Sequence, residues 1–380
     1  MNSTTALSCL LIWTYFMLIS FDIKNALLFI VILVPSLLCC SFYYAKLNYF
    51  KRHVSATLLA PTYFAGFVMA PVTGAVQFLL AWAVNSIFAS PKNHGARGTG
   101  TSFSFASMRL YLTPKQTLSD DSLSQQGLST IELCLLLVAV SFFLAGGVEE
   151  LLKYLVVQLR QDASRYKCDQ VRLFVVPDPS ISDTLRRKNP IKMLTLYVST
   201  ALGYALFENM TFLCFFGNAS SIFDASTNGT LMAGTPLIGF SLMHSLHAAA
   251  RRTILSNGVH VLACTLTALS VSQRDFYGGY LMFNRGKGVV GTFHILMPAI
   301  LLHGAFDALS FFFSPNVARL YTLEVRESNM RLLCMLFQLV LLVCAFARAE
   351  RLYKKLNIWA LSDAVQATEE KLETPLVSLV

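Results

Sequence analysis

Residues 146–153 read Gly-Gly-Val-Glu-Glu-Leu-Leu-Lys and lie within an apolar run that extends over 130–159. Three other apolar runs carry acidic or imidazole side chains in the same way, at Phe207-Glu208-Asn209, His244-Ser245-Leu246-His247 and His303-Gly304-Ala305-Phe306-Asp307. A charged side chain in hydrocarbon costs several kcal/mol, so it usually faces a bundle interior or a water-filled cavity. Four helices that each bring Glu, His or Asp therefore predict a single shared polar site.

The composition indicates an integral membrane protein. The chain has 380 residues, of which 55% are hydrophobic and 13% are charged, whereas globular proteins are about 25% charged. Its apolar runs are long enough for spanning helices, which need about 20 residues. We therefore predict an all-α, polytopic transmembrane helix bundle. The net charge of +9 does not require a nucleic-acid partner, because Lys and Arg collect in the cytoplasmic loops of membrane proteins. We therefore expect no nucleic-acid partner.

The apolar runs predict about eight spans. They lie near 6–21, 26–45, 54–88, 130–159, 191–216, 236–272, 289–313 and 330–347. The run 236–272 is the weakest, because polar residues between Arg251 and His260 interrupt it. We expect this run to cross the membrane once, with its second half forming an interfacial or re-entrant segment.

The distribution of basic residues predicts the topology. With eight spans, the loops on the side of the two termini hold 21 Lys and Arg residues, and the opposite loops hold seven. Cytoplasmic loops carry the excess of such residues, so both termini are predicted to be cytoplasmic. The protein is expected to be multi-pass, in an endomembrane or the plasma membrane.

Glycosylation sequons agree with this topology. The loop 217–235 has no Lys or Arg and contains two of them, at Asn218 and Asn228. A sequon is usable only where it reaches the lumen. A third sequon at Asn209 falls within a predicted span, and we expect it to stay unmodified.

The Glu149-Glu150 pair has the chemistry of a proton-transfer site. Adjacent residues of a helix point about 100° apart, and Lys153 follows them by four and three positions, so it can pair with either. One glutamate can then be held as a carboxylate while the other faces a water. Apolar surroundings favour a carboxyl group that takes and returns a proton near neutral pH. An ordinary Glu/Lys turn at a helix end explains this motif equally well.

His303 and Asp307 lie four residues apart and share one helical face. Asp307 can fix the tautomer of the imidazole, or both side chains can help to hold a metal or an oxyanion. A buried hydrogen bond between helices is the simpler explanation of such a pair. Glu208 needs either a partner from another helix or a proton.

Four histidines compete to serve this site alongside His303. His244 and His247 lie three residues apart on one helical face, so both can reach a shared site. His260 and His294 are less well placed. Either His244 or His247 is therefore the expected site histidine of its run.

Taken together, the motifs resemble those of the PrsW-type intramembrane proteases. That family belongs to the superfamily that includes the CAAX prenyl proteases and the bacteriocin-processing proteins. The resemblance covers about 130–313, and the motifs occur in the family's order: Glu149-Glu150-x-x-Lys153, Phe207-Glu208, His244, and His303-x-x-x-Asp307. It divides the chain into N-terminal helices with a lumenal loop (1–129), a protease-like core (130–347) and a disordered cytoplasmic tail (348–380).

The resemblance implies an intramembrane endopeptidase that acts on transmembrane or membrane-associated proteins. Its catalytic residues are expected to be Glu149, Glu150, His244 and His303. One glutamate would activate a water, and the histidines would stabilise the oxyanion or carry a metal. The supporting residues are expected to be Lys153, Glu208, His247 and Asp307. A zinc ion held by Glu150, His244 and His303 is compatible with this set, and a metal-free glutamic mechanism is equally compatible.

Two other functions are consistent with the same residues. The first is a non-catalytic scaffold or chaperone that keeps the fold, although a scaffold has no need to retain every one of the acids and histidines. The second is a proton-coupled transporter, in which intramembrane Glu, His and Lys form a relay. No inverted repeat of the kind common in transporters is visible in the sequence. The partners expected in every case include membrane lipids.

Overall fold

The computed structural model describes residues 30–36, 38, 56–88, 135, 137–171, 190–211, 237–277, 289–313 and 327–357. Within these residues the regular structure is entirely helical and contains no strand, which confirms the predicted all-α membrane bundle. The predicted span 6–21, the sequons at Asn218 and Asn228, and the tail 358–380 lie outside the described residues.

Six α-helices are described. They are α1 (Ala56–Phe88), α2 (Val148–Val171), α3 (Pro190–Met210), α4 (Leu237–Tyr277), α5 (Val289–Phe312) and α6 (Glu327–Lys355). A π-helical segment, Val140–Gly147, runs directly into α2. Residues 30–36 are also helical. They contact α1 and α3, since the Ser36 hydroxyl forms hydrogen bonds with the Tyr63 hydroxyl of α1 and the Leu202 carbonyl of α3.

Four described helices contain a stretch that is long and apolar enough to cross a bilayer. These stretches are Leu59–Leu80, Ala250–Arg274, Gly291–Phe312 and Leu332–Lys355. Prolines inside α1 and α5 are tolerated in such helices, because neighbouring groups satisfy the backbone atoms that a proline leaves free. The chain is an integral membrane protein, and the total of about eight spans stays a prediction.

The expectation for the second half of run 236–272 is wrong. Helix α4 continues without a break from Leu237 to Tyr277, and its second half holds the candidate span Ala250–Arg274. About two thirds of the span's most apolar stretch is buried inside the protein. Of the polar residues that interrupt the hydropathy pattern, Asn257 and His260 are buried against other helices, whereas Arg251 is exposed.

The C-terminal helix extends beyond the predicted core boundary. Helix α6 continues through residue 347 to Lys355, so the basic stretch that begins at Arg348 is helical. Only 17% of the most apolar stretch of α6 is buried. Among the described helices, α6 packs mainly on α4 and α5. Its exposed face is rich in Leu, Val and Phe, as expected for a surface in contact with lipid.

The N-terminal turns of α2 occupy the centre of the bundle. Helix α2 contacts α1, α3, α4 and α5, and α3 packs between α1 and α4. Almost every residue of α3 is buried. The Glu149 and Glu150 side chains, in the first turn of α2, are therefore buried among these helices, whereas Leu151 of the same turn is exposed.

Candidate functional site

The first two turns of α2 supply three buried charged side chains. Glu149, Glu150 and Lys153 are 7%, 1% and 1% exposed, respectively. Lys153 Nζ donates to Glu150 Oε1 at 2.7 Å and lies 3.7 Å from Glu149 Oε2. The predicted pairing of Lys153 with the glutamates is therefore present, and it is a buried arrangement rather than an interfacial turn.

Helix α5 closes on this pair through His303. The imidazole is 2% exposed, and its Nδ1 donates to Glu150 Oε1 at 2.8 Å. Its Nε2 lies 3.6 Å from Glu149 Oε2 and 3.6 Å from Asp307 Oδ2. With Nδ1 donating, Nε2 lies near both carboxylates and carries either a lone pair or a second hydrogen.

Two glycines allow α5 to approach this closely. A Cβ atom on Gly146 would lie 3.0 Å from the backbone nitrogen of Gly304 and from the carbonyl oxygen of Ile300. A Cβ atom on Gly304 would lie 2.9 Å from Phe142 Cα. The backbones of the π-helical segment and α5 are therefore in direct contact, and this contact sets the distance between the glutamates and His303.

Helix α4 contributes His260, which lies at the centre of the cluster. Its Nδ1 accepts from Lys153 Nζ at 2.8 Å, and its Nε2 donates to Glu208 Oε2 at 2.6 Å. With Lys153 as an ammonium and Glu208 as a carboxylate, the ring must be the neutral tautomer protonated at Nε2. The rings of His260 and His303 meet edge to face, with centroids 4.8 Å apart.

The outer end of the cluster is an ion pair. Arg252 of α4 donates to Glu208 Oε1 at 2.9 Å, so Glu208 has a partner from another helix, which is one of the two alternatives that the sequence left open. Polar contacts therefore run without a gap from Arg252 through Glu208, His260, Lys153 and Glu150 to His303.

Glu149 differs from its neighbour in how it is held. Its Oε1 accepts a hydrogen bond from Gln77 of α1 at 3.2 Å. Its Oε2 is buried and has no hydrogen-bond partner among the described residues, and the same is true of Glu150 Oε2. A buried carboxylate oxygen with no partner is costly, so these two oxygens mark where a water, a substrate or a metal is expected.

Comparison with known proteins agrees with this geometry. The model of the PrsW family, described as intramembrane metalloproteases, matches residues 56–345, which is more than half of the chain. The chain belongs to the PrsW family. The match is wider than the motif-bearing region 130–313, because it begins at α1 and ends within α6. Searches of curated proteins and of solved structures found no significant match.

Three of the four predicted clusters converge in this PrsW family member. The structure brings together Glu149, Glu150, Lys153, Glu208, His303 and Asp307. His244 and His247 belong to α4, but their side chains lie outside the described part of the structure. They precede His260 by 16 and 13 positions in one helix, about 24 and 20 Å along its axis.

Sequence reasoning missed His260, which it ranked below His244 and His247. The signal for it lay in the polar interruption of run 236–272. Thr253, Ser256, Asn257 and His260 follow one another at helical spacing, and all four are buried. The second residue missed is Gln77, whose apolar surroundings in the sequence give no indication of a partner.

The described residues form one compact set of possible metal ligands. Ligand atoms of Glu149, His260 and His303 lie within 4.8 Å of one another. The metal ligands predicted from the sequence are Glu150, His244 and His303, and the structure brings Glu150 and His303 together. Two imidazoles with a carboxylate form a ligand set used by catalytic zinc, and the partnerless Glu149 oxygen adds an open acceptor. The donor chemistry therefore fits a divalent metal.

Proposed function

We propose that the chain is an intramembrane peptidase acting on transmembrane or membrane-associated proteins, with Glu149 as the base that activates water. The observation that supports this most is the position of Glu149 Oε2 beside His303 Nε2, while the adjacent Glu150 is held by two donors. Glu150 Oε1 accepts from both Lys153 and His303. Glu149 Oε2 is buried without a hydrogen-bond partner among the described residues, 3.6 Å from His303 Nε2.

The glutamates have separate roles in this mechanism. Lys153 and His303 both donate to Glu150 Oε1, and Glu150 in turn fixes the orientation of the His303 ring. Glu149 takes a proton from water as the water oxygen bonds to the carbonyl carbon of the substrate. When the peptide bond breaks, Glu149 returns that proton to the leaving nitrogen.

His303 is the candidate for stabilising the oxyanion. Its Nε2 faces the same point as the free Glu149 oxygen, and Asp307 lies on the other side of that nitrogen at 3.6 Å. With a hydrogen on Nε2, His303 would donate to the oxyanion. A donor aimed at the developing charge typically contributes a factor of about 100 or more in rate.

A metal ion is compatible with the same arrangement. Glu149, His260 and His303 would hold it. When bound, such an ion polarises a substrate carbonyl and lowers the pKa of water. Both nitrogens of His260 are engaged by Lys153 and Glu208, so His260 joins this ligand set only if one of these partners releases its ring.

The test is cleavage by the purified protein in liposomes, with fluorogenic transmembrane peptides as probes. Changing Glu149→Gln and Glu150→Gln together keeps shape and hydrogen bonding but removes both carboxylates, so cleavage should fall by a factor of at least about 100. The matched control is Glu350→Gln, which alters an exposed glutamate that also pairs with a lysine four residues later. Full activity of the double variant would overturn the mechanism.

Chelation separates the two versions of the site. Activity lost with a chelator and restored by zinc would support the metal version, and activity unaffected by the chelator would support Glu149 acting alone. The protein would instead be a scaffold if the wild type cleaves no probe and if the wild type and the double variant bind membrane proteins equally well.

A proton-coupled transporter is the second candidate. It is favoured by the unbroken series of polar contacts from Arg252 to His303, which has the form of a proton relay. Proton-driven uptake into liposomes by the wild type, lost in Glu208→Gln, would support transport. Cleavage without such uptake would argue against it.

A further inference from the structure

Gln77 of α1 is a polar residue in an apolar part of a candidate span. It lies in Leu59–Leu80 and precedes Phe78, Leu79 and Leu80, which are 45%, 60% and 41% exposed. An amide in such surroundings is costly unless its donors are satisfied. The Gln77 side chain therefore needs specific hydrogen-bond acceptors.

Both partners of Gln77 belong to the segment that carries the site glutamates. Gln77 Nε2 donates to the Leu144 carbonyl at 2.9 Å and to Glu149 Oε1 at 3.2 Å. An amide nitrogen has two hydrogens, so each acceptor can receive its own. One hydrogen anchors the side chain to the backbone, and the other reaches the carboxylate.

The π-helical segment changes the backbone hydrogen bonding next to the Leu144 carbonyl. In an α-helix, the amide of Val148 would donate to Leu144. Here it donates to the carbonyls of Phe143 and Ala145. The Leu144 carbonyl accepts from Gln77 across the helix interface, one turn before Glu149. Single-turn π-helical segments are frequent at functional sites.

We propose that Gln77, anchored on the carbonyl that the π-helical segment exposes, is a positioning residue for Glu149. By holding Oε1, it directs Oε2 toward His303 Nε2 and keeps the carboxylate from turning fully onto Lys153, which lies 3.7 Å away. The proposal rests on the proposed function, because it gives Gln77 a role in orienting the base of that reaction.

The kinetic test is Gln77→Met, which keeps length and removes both donors. The rate constant kcat on the peptide probes is expected to fall about tenfold or more, with KM within about twofold, because the interaction lost acts on the base and not on substrate binding. The control is Gln338→Met in α6. Gln338 also donates from a membrane helix to a backbone carbonyl, that of Phe306. Among the described residues its hydrogen bonds go to Phe306 and Ser310 and not to the glutamates, so kcat should be retained.

A thermal double-variant cycle tests the same contact without activity. Gln77→Met should lower Tm more in the wild type than in a Glu149→Met background, where the carboxylate acceptor is already absent. Equal decreases in the two backgrounds, or an unchanged kcat in Gln77→Met, would overturn the proposal and leave Gln77 as a link between helices.

The two proposals fail separately. If the wild type cleaves no probe, the peptidase function fails while the thermal cycle still decides whether Gln77 and Glu149 interact. If Gln77→Met does not fold, Gln77→Asn keeps an amide that is one methylene too short to span both acceptors, and the same kinetic decrease is expected.

Discussion

At the scale of single residues, Lys153 compensates more of the buried negative charge in the site than any other residue does. Its ammonium contacts Glu150 and His260, lies near Glu149, and sits 4.4 Å from the centre of the Tyr204 ring. A buried ion pair is weak evidence for stability as such, because desolvation offsets the attraction. Removing one partner of such a pair destabilises the protein, because the other charge then stays buried without compensation.

Lys153→Met should therefore destabilise the protein by about 3–5 kcal/mol. The matched control is Lys354→Met, which breaks an i,i+4 pair with Glu350 at 2.6 Å whose side chains are 73% and 48% exposed. Exposed pairs of this kind often contribute nothing measurable. Unfolding in detergent, followed by loss of helical circular dichroism, compares the two. Equal effects would contradict the buried position of Lys153.

His260 should be needed for both stability and activity. His260→Phe keeps a ring in a position that is 1% exposed but leaves Lys153 and Glu208 each without one partner. We expect a loss of about 1–3 kcal/mol and a decrease in peptide cleavage of at least tenfold. His294→Phe, at an exposed position of the same protein, should change neither quantity appreciably. Retained cleavage in His260→Phe would remove His260 from the site.

At the scale of elements, α1 and α3 are joined by backbone contact. A Cβ atom on Gly66 would overlap the Thr200 carbonyl, and one on Gly203 would overlap the Tyr63 carbonyl. Small residues at such a crossing let two membrane helices approach closely, and packing is a main source of their association. This interface holds α3, and with it Glu208, in register with α1 and Gln77.

Gly203→Ala should consequently separate the two helices and destabilise the protein by about 2 kcal/mol or more. Gly74→Ala, in α1, is the control, because a Cβ atom there has nothing within 4 Å and alanine favours a helix over glycine. Thermal unfolding in detergent is the measurement. If Gly203→Ala were as stable as Gly74→Ala, the close crossing of α1 and α3 would be wrong.

At the scale of the whole molecule, polar groups lie at the centre and apolar side chains cover the outside. Exposed Leu, Val, Ile and Phe side chains are spread over α1, α5 and α6, where lipid is their natural environment. The site groups come from α1 to α5 and meet between them. Such an arrangement lets one pocket admit water while the helix exteriors remain apolar.

Glycosylation should follow the predicted topology. Asn218 and Asn228 are the expected sites, because they lie in the loop without Lys or Arg. Asn209 is fully buried in α3 and donates to Asn257, so a glycosyltransferase cannot reach it. Glycosidase treatment of Asn218→Gln, Asn228→Gln and Asn209→Gln, followed by gel mobility, distinguishes the three. A shift lost only in Asn209→Gln would refute both the topology and the packing of α3.

The sequence anticipated a large part of the site because the energetic argument is general. Glu149, Glu150 and Lys153 are local neighbours, so their pairing follows from helical spacing alone. The convergence of Glu208 and His303 with them follows from the expense of isolated polar groups in lipid. His260 was not anticipated, since hydropathy treats Arg251 to His260 as an interruption of a span, whereas in α4 Thr253, Ser256, Asn257 and His260 form a polar face that packs inward.

By itself, the sequence determined that this is a helical membrane protein with acidic and imidazole groups inside it, because apolar run length and helical period depend only on local order. It also carried the motifs of the PrsW family. Only the tertiary structure decided which carboxylate oxygens stay without a hydrogen-bond partner, that His260 joins Lys153 to Glu208, and that Gln77 holds Glu149. The last three contacts connect residues that are 52 to 107 positions apart, so they depend on how glycine-lined helices pack, and no local pattern encodes that.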